Sequence, residues 1–293
     1  MKNLRFHELM NSLKGNSGSL DETILPELNL ALEGSQGSYR VYTTEVITGI
    51  PPSDIGSISF HLPASKISAL GADPKFAFGS FFIPEGHRGV VEDFEREARR
   101  YGSRTGSKIV RGRRALAIVS MRGEAREIIL PTNVKIGDYI ALIGVPGAEF
   151  LYLISNKKPE LFKRLGMEDS IWRWKRALWM LTCIDAVRTL LTISRVNGLL
   201  CVDSRGILES LNKLADISGT GFIISRNRII FPPELMRIAT QMDLDPLELP
   251  SSGVTLAAIP KHVQVNQIGE ILEIHGYWVS FIGNIAREVR VIS

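Results

Sequence analysis

The order of apolar and polar positions divides the chain into short strands and amphipathic helices. Tyr39-Arg-Val-Tyr-Thr-Thr44 alternates with period two and predicts a strand. Residues 55–70 carry small and apolar side chains at helical spacing. Gly71 ends that helix, and Ala72-Asp73-Pro74 turns the chain into an apolar strand at 76–83. Acids and bases interleave over 89–100 and predict an exposed helix that stops near Gly102. Buried strands are expected at 115–121, 128–130 and 139–144.

After Gly147 the pattern changes. Residues 159–194 are helical in period and rich in aromatics, and Trp172, Trp174 and Trp179 are spaced as core or subunit-face residues rather than as a ligand cage. Strands follow at 199–202, 221–224, 254–259 and 278–282, with helices at 207–217, 234–242 and 263–275. Neither half repeats a strand–helix–strand period. The chain is therefore expected to form two α+β domains, residues 1–147 and 148–293, joined near 145–150. The first 20 residues, polar and glycine-rich, are expected to be mobile.

Composition narrows the function classes. A chain of 293 residues suits two cores, and 44% hydrophobic with 23% charged residues is a soluble globular balance. The net charge of +4 is a mild basic bias. Its densest part, from Arg96 and Arg99 through Arg104 and Lys108 to Arg114, lacks the aromatic platforms of a nucleic-acid surface and reads as an anion-facing loop or exposed basic patch. Cys183 and Cys201 fit neither a zinc pattern nor a disulfide framework, and read as buried reduced thiols of a cytoplasmic protein. No signal-peptide core or membrane-length apolar run is seen, so neither secretion nor a membrane is expected. The histidines show no ligand spacing, and nucleophile-elbow, Walker and Rossmann motifs are absent.

The stretch DIGSISFHLPASKISALGADPKFAFGSFFIPEG, residues 54–86, resembles the ATP-binding superfamily of aminoimidazole-ribotide synthetase, selenophosphate synthetase, thiamine-monophosphate kinase and the hydrogenase-maturation carbamoyl dehydratase. Asp203-Ser-Arg-Gly206 with its following helix, Ser218-Gly-Thr-Gly221, Leu244-Asp-Pro-Leu247, Ser251-Ser-Gly253 and Ile282-Gly283 resemble the carbamoyl-dehydratase branch in order and spacing. The resemblance implies a two-domain α+β fold with a C-terminal α/β sandwich. It implies a homodimer whose N-terminal sheets pair into a β-barrel, ATP in the interdomain cleft, and a possible partner protein.

Family chemistry rests on acids that hold magnesium against the ATP phosphates, since magnesium prefers hard oxygen ligands. Those acids are replaced here. Asn29-Leu-Ala-Leu32 has no leading acid, Thr43-Thr44-Glu45 keeps one on a longer stem, the helix aspartate is Lys66, and Thr105-Gly106-Ser107-Lys108 has lost its aspartate. Unit charges 4 Å apart interact by about 4 kcal/mol at an effective dielectric of 20, so a lysine in place of an aspartate argues against magnesium, and no metal ligands are assigned. The resemblance then leaves Glu45 as the candidate catalytic acid. Lys66, Gly106, Ser107, Lys108, Asp203, Ser204, Arg205 and Gly206 are the candidate nucleotide-binding residues.

The chain ends Arg290-Val-Ile-Ser293 without the dehydratase's terminal cysteine, and its first residues lack a cysteine for selenium chemistry. Synthesis of a cyanide ligand or of selenophosphate by this chain alone is therefore not expected. Two functions remain open: an ATP-binding, hydrogenase-maturation-related enzyme of dehydration or phosphoryl transfer, and a non-catalytic paralogue acting as a dimeric binding or regulatory module.

Overall fold

The computed structural model describes residues 22–293 apart from 26, 27, 36 and 88. The expected mobile segment at the N-terminus lies outside the described residues.

The first unit contains β1 (Glu22–Leu25), β2 (Leu30–Ser35), β3 (Ser38–Thr48), helix α1 (Ile55–Ser68), β4 (Asp73–Ile83), helix α2 (Val90–Arg100), β5 (Arg104–Arg111) and β6 (Leu116–Ala125). Its sheet has the order β1-β2-β3-β6-β4-β5. All neighbours are antiparallel except β4 and β5, which run parallel and are joined by the α2 crossover. Helix α1 packs between the sheet and α2, so nearly all its faces are covered, and Ile55, Phe60, Ala64 and Ile67 are fully buried. Gly56 lets α2 approach: a Cβ there would meet Val90 O at 2.2 Å. The sheet's opposite face carries Val46, Phe76, Phe78 and Ile118, all exposed, with Val46 beside Ile118 and Phe78 beside Ser120 in register.

The second unit contains β7 (Tyr139–Ile143), α3 (Ala148–Lys157), α4 (Pro159–Arg164), α5 (Ile171–Lys175), α6 (Ile184–Ile193), β8 (Gly198–Cys201), α7 (Gly206–Ser218), β9 (Gly221–Ile224), α8 (Pro233–Met242), β10 (Thr255–Ile259), α9 (Val265–Ile274), β11 (Val279–Ala286) and β12 (Arg290–Ile292). Its sheet runs β12-β9-β11-β7-β10-β8, antiparallel except for β12 beside β9.

Most expected elements are present, and the departures have physical causes. Strand β7 was expected to close the first unit, yet it pairs with β10 and β11 at the centre of the second sheet. Its run Tyr-Ile-Ala-Leu-Ile is buried almost throughout, as a strand with two neighbours requires. The chain therefore crosses between sheets over residues 126–138 rather than near 147. Residues 128–130 form no strand; Ile129 N makes a single bond to Leu70 O, and Pro131 follows. The helical stretch 159–194 is broken into α4, α5, α6 and intervening 3-10 turns. Of its tryptophans only Trp174 is core; Trp172 and Trp179 are 64% and 66% exposed.

Candidate functional site

A cleft of about 380 Å³ opens between the two units. Asn29, Lys66 and Leu70 line it from the first unit, and Cys201, Asp203, Arg205 and Lys213 from the second. The walls are fixed by bonds between units. Tyr152 Oη donates to Asp54 Oδ2 at 2.6 Å, Tyr101 Oη to Asp185 Oδ2 at 2.9 Å, and Arg188 Nη2 to Asp73 Oδ1 at 2.7 Å. Cys183 N donates to Ser65 Oγ at 3.1 Å.

Lys66 sits in the last turn of α1, and its side chain is largely enclosed. Its Nζ donates to Glu45 Oε1 at 2.5 Å. The same oxygen accepts from Asn29 Nδ2 at 3.3 Å, with Thr43 Oγ1 a further 3.3 Å neighbour. Asn29, with φ of 55°, is held by Thr43 Oγ1, which donates to its carbonyl at 2.8 Å. The lysine thus fills the space beside the Glu45 carboxylate.

On the facing wall, Asp203 is equally engaged. Its Oδ1 accepts from Arg205 N at 2.9 Å, and its Oδ2 from Arg205 Nη2 at 2.8 Å and Lys213 Nζ at 3.2 Å. Burial pushes its carboxyl up, but the Arg205 hydrogen bonds and the Lys213 charge outweigh this and hold it at about 2. Arg205 also pairs with Glu209 at 3.3 Å. Behind the cleft, Glu149 is buried and its Oε2 accepts from Ser252 N at 3.0 Å. Desolvation raises its carboxyl above the ordinary range.

The sequence-derived residues separate in space. Lys66, Asp203 and Arg205 line the cleft, and Glu45 joins them through its ion pair with Lys66. Gly106, Ser107 and Lys108 lie on β5, the edge strand opposite β1, and do not line it. A Cβ on Gly106 would meet the Phe78 ring at 2.9 Å, so packing against that ring accounts for this glycine. Ser204 is exposed. Gly206, with φ of +90°, backs onto the Leu247–Glu248 backbone, where a Cβ would meet Leu247 O at 2.6 Å. The basic block is a surface: Arg96 pairs with Asp93, Arg99 with Glu95, Arg100 with Glu97 and Arg111 with Glu85. Asn29, Lys213 and Cys201 were missed as site residues. Cys201 had a legible signal, since it stands two positions before Asp203 at the end of a strand.

The residues present do not fit magnesium. Both cleft carboxylates are closed by ammonium or guanidinium partners, and no group of three or more potential metal ligands occurs among the described residues.

The fold, with its two mixed sheets, helices and intervening cleft, is of the aminoimidazole-ribotide synthetase-like class. A chain of the HypE–HypF complex superposes with a TM-score of 0.72 at 18% identity, covering 89% of each chain. ThiL bound to AMPPCP and TMP superposes with 0.68 at 19% identity, covering 100% of this chain and 94% of that one. No family model matches the sequence. In sequence the chain is similar to the carbamoyl dehydratase HypE of Cupriavidus necator, at 25% identity over 254 residues, 76% of this chain and 69% of that protein. It is 26% identical to HypE of Rhodobacter capsulatus over 271 residues, 87% and 76% of the two chains. Sequence and fold therefore agree with the resemblance to the superfamily's hydrogenase-maturation branch. Among the described residues no helix is long and apolar enough to cross a membrane.

Proposed function

We propose that this chain is a hydrogenase-maturation-related protein that takes a nucleotide, ATP, in the interdomain cleft without magnesium, and acts as a dimeric binding or regulatory module rather than as a catalyst. The observation that carries this reading is the ion pair of Lys66 with Glu45, facing the Asp203–Arg205–Lys213 cluster. Dehydration or phosphoryl transfer in this fold needs free acids to gather metal around the phosphates. Here the acids are neutralised from within by Lys66, Arg205 and Lys213, and a phosphate would be met by these same cations at the cost of their present ion pairs. Relatives support the ligand: a ThiL structure holds the ATP analogue AMPPCP.

A HypE structure in complex with HypF supports a partner protein. The homodimer is supported by the exposed face of the first sheet, where Phe76, Phe78, Val46 and Ile118 form an apolar strip that a second copy would cover to close a barrel. Two reduced cysteines fit the cytoplasmic location that we assign.

Calorimetric titration with ATP, in magnesium and in EDTA, tests the reading. Equal affinities in the two buffers, weakening in Lys66→Ala, and absence of turnover are expected. Magnesium-dependent binding, or ATP turnover lost in Glu45→Gln, would overturn it in favour of the enzyme.

A further inference from the structure

One group in the cleft is used by neither ion pair. Cys183 Sγ lies 3.9 Å from Cys201 Sγ, and both are free thiols. The two come from different elements, Cys183 from the N-terminal end of α6 and Cys201 from the last position of β8. They differ in access. Cys183 is fully buried, with its Sγ 3.7 Å from Ser65 O, whereas Cys201 is half-buried and lines the cleft. Nothing stands between the sulfurs, and Lys66, the residue after Ser65, is a cation on the same wall. The Lys66 ammonium is paired with Glu45, and the hydrogen bond with Cys183 together with burial raises the Cys201 thiol above the ordinary range, so access rather than thiolate population selects Cys201 as the first nucleophile.

We infer that Cys201 and Cys183 form a redox-active dithiol in the cleft, a site of reversible disulfide formation with low-molecular-weight disulfides as oxidant. The Cys201 thiolate attacks one sulfur of the incoming disulfide, forms a mixed disulfide and expels a thiolate. The Cys183 thiolate then attacks Cys201 Sγ, forms the intramolecular bond and expels the second thiolate. The two protons given up by the cysteines end on the two released thiols. The protein loses two electrons and the small disulfide gains them. Closing the bond brings the sulfurs from 3.9 Å to about 2.05 Å, beside Ser65, whose carbonyl Cys183 Sγ now faces. A small thiol reverses the reaction along the same path.

The order of attack follows from access and gives the test. The full chain, reduced and freed of reductant, is incubated without nucleotide in a glutathione disulfide series, then acid-quenched and weighed by intact mass spectrometry. Omitting nucleotide separates this outcome from that of the ATP reading. The wild type is expected to lose two hydrogens with no retained adduct, and peptide mapping to join Cys183 to Cys201. Cys183→Ser, or Cys183→Ala should the serine variant misfold, is expected to stop at a stable glutathione adduct on Cys201. Cys201→Ser is expected to remain unmodified. A wild type that keeps the adduct, keeps both thiols while Cys183→Ser is modified, or cross-links between chains would overturn the proposal. An unmodified, folded Cys183→Ser would overturn it equally.

Discussion

Lys66 Nζ lies 2.5 Å from Glu45 Oε1, with Asn29 and Thr43 completing the surroundings of that oxygen. A residue of α1 thus supplies, by a covalent tether, a positive charge beside the Glu45 carboxylate.

The first consequence is thermal. Lys66→Met keeps the aliphatic stem but leaves the Glu45 carboxylate unpaired, and should destabilise the protein by about 1–3 kcal/mol. Magnesium should leave the wild-type melting temperature unchanged. Lys66→Asp, which places a second acid beside Glu45, should acquire a magnesium-dependent rise. Melting curves in magnesium and EDTA read both; a magnesium shift in the wild type would contradict the tethered cation.

Asp203 predicts an acid limb. Its carboxyl is held at about 2 in the fold against 3.8 ordinarily. On acidification the unfolded chain takes the proton first, so the stability this group contributes is complete above pH 4 and lost as pH falls toward 2. The contribution is roughly 2 kcal/mol. Asp203→Asn should be less stable than wild type at neutral pH, and the gap should shrink as pH falls through this window. Urea denaturation across pH measures it.

Glu149 predicts the opposite slope. Burial raises its carboxyl, and the nearby Asp203 charge pushes the same way against the Ser252 hydrogen bonds. A group raised in the fold stabilises fully below its unfolded value and loses that contribution as pH rises through its folded value. Glu149→Gln keeps the acceptor for Ser252 N without the charge. Its stability relative to wild type should therefore grow as pH rises from the acid range toward neutrality, in the same denaturation series.

How much of this was legible differs by element. The path from α1 into β4 was readable because Gly71, at φ of +78°, and Pro74 act locally on the backbone. The membership of β7 was not, since a buried apolar run looks the same in either sheet until its partners are known. Lys66 was found as a departure from a motif. Its pairing with Glu45, 21 positions away, depends on how β3 packs against α1 and has no sequence signature. The position of Lys108 was not legible either: its local pattern says nothing of the sheet order, which puts it on the far edge strand.

The apolar face of the first sheet predicts the oligomeric state. Phe78 is 43% exposed beside Ser120, and Ile118 lies beside Val46. Sedimentation should give a dimer for the wild type. Phe78→Glu, which puts charge on that strip without touching the inner core, should give a folded monomer by far-ultraviolet circular dichroism. A wild-type monomer would remove the barrel from the proposed function.

Gly206 tests whether the Asp203–Gly206 turn exists for the ligand or for the fold. The resemblance of Asp203-Ser-Arg-Gly206 to a family motif made Gly206 a candidate nucleotide-binding residue. Its missing side chain instead leaves space for protein: at φ of +90°, a Cβ would meet Leu247 O at 2.6 Å and Glu248 Cα at 2.9 Å, both backbone atoms that cannot step aside alone. Gly206→Ala should therefore cost about 1–3 kcal/mol from backbone conformation, with the clash adding to it. Ser204→Ala, two positions earlier and exposed, should stay within about 0.5 kcal/mol of wild type. Denaturation of the two variants side by side decides it. A Gly206→Ala protein of wild-type stability that loses only nucleotide affinity would return this glycine to the binding site.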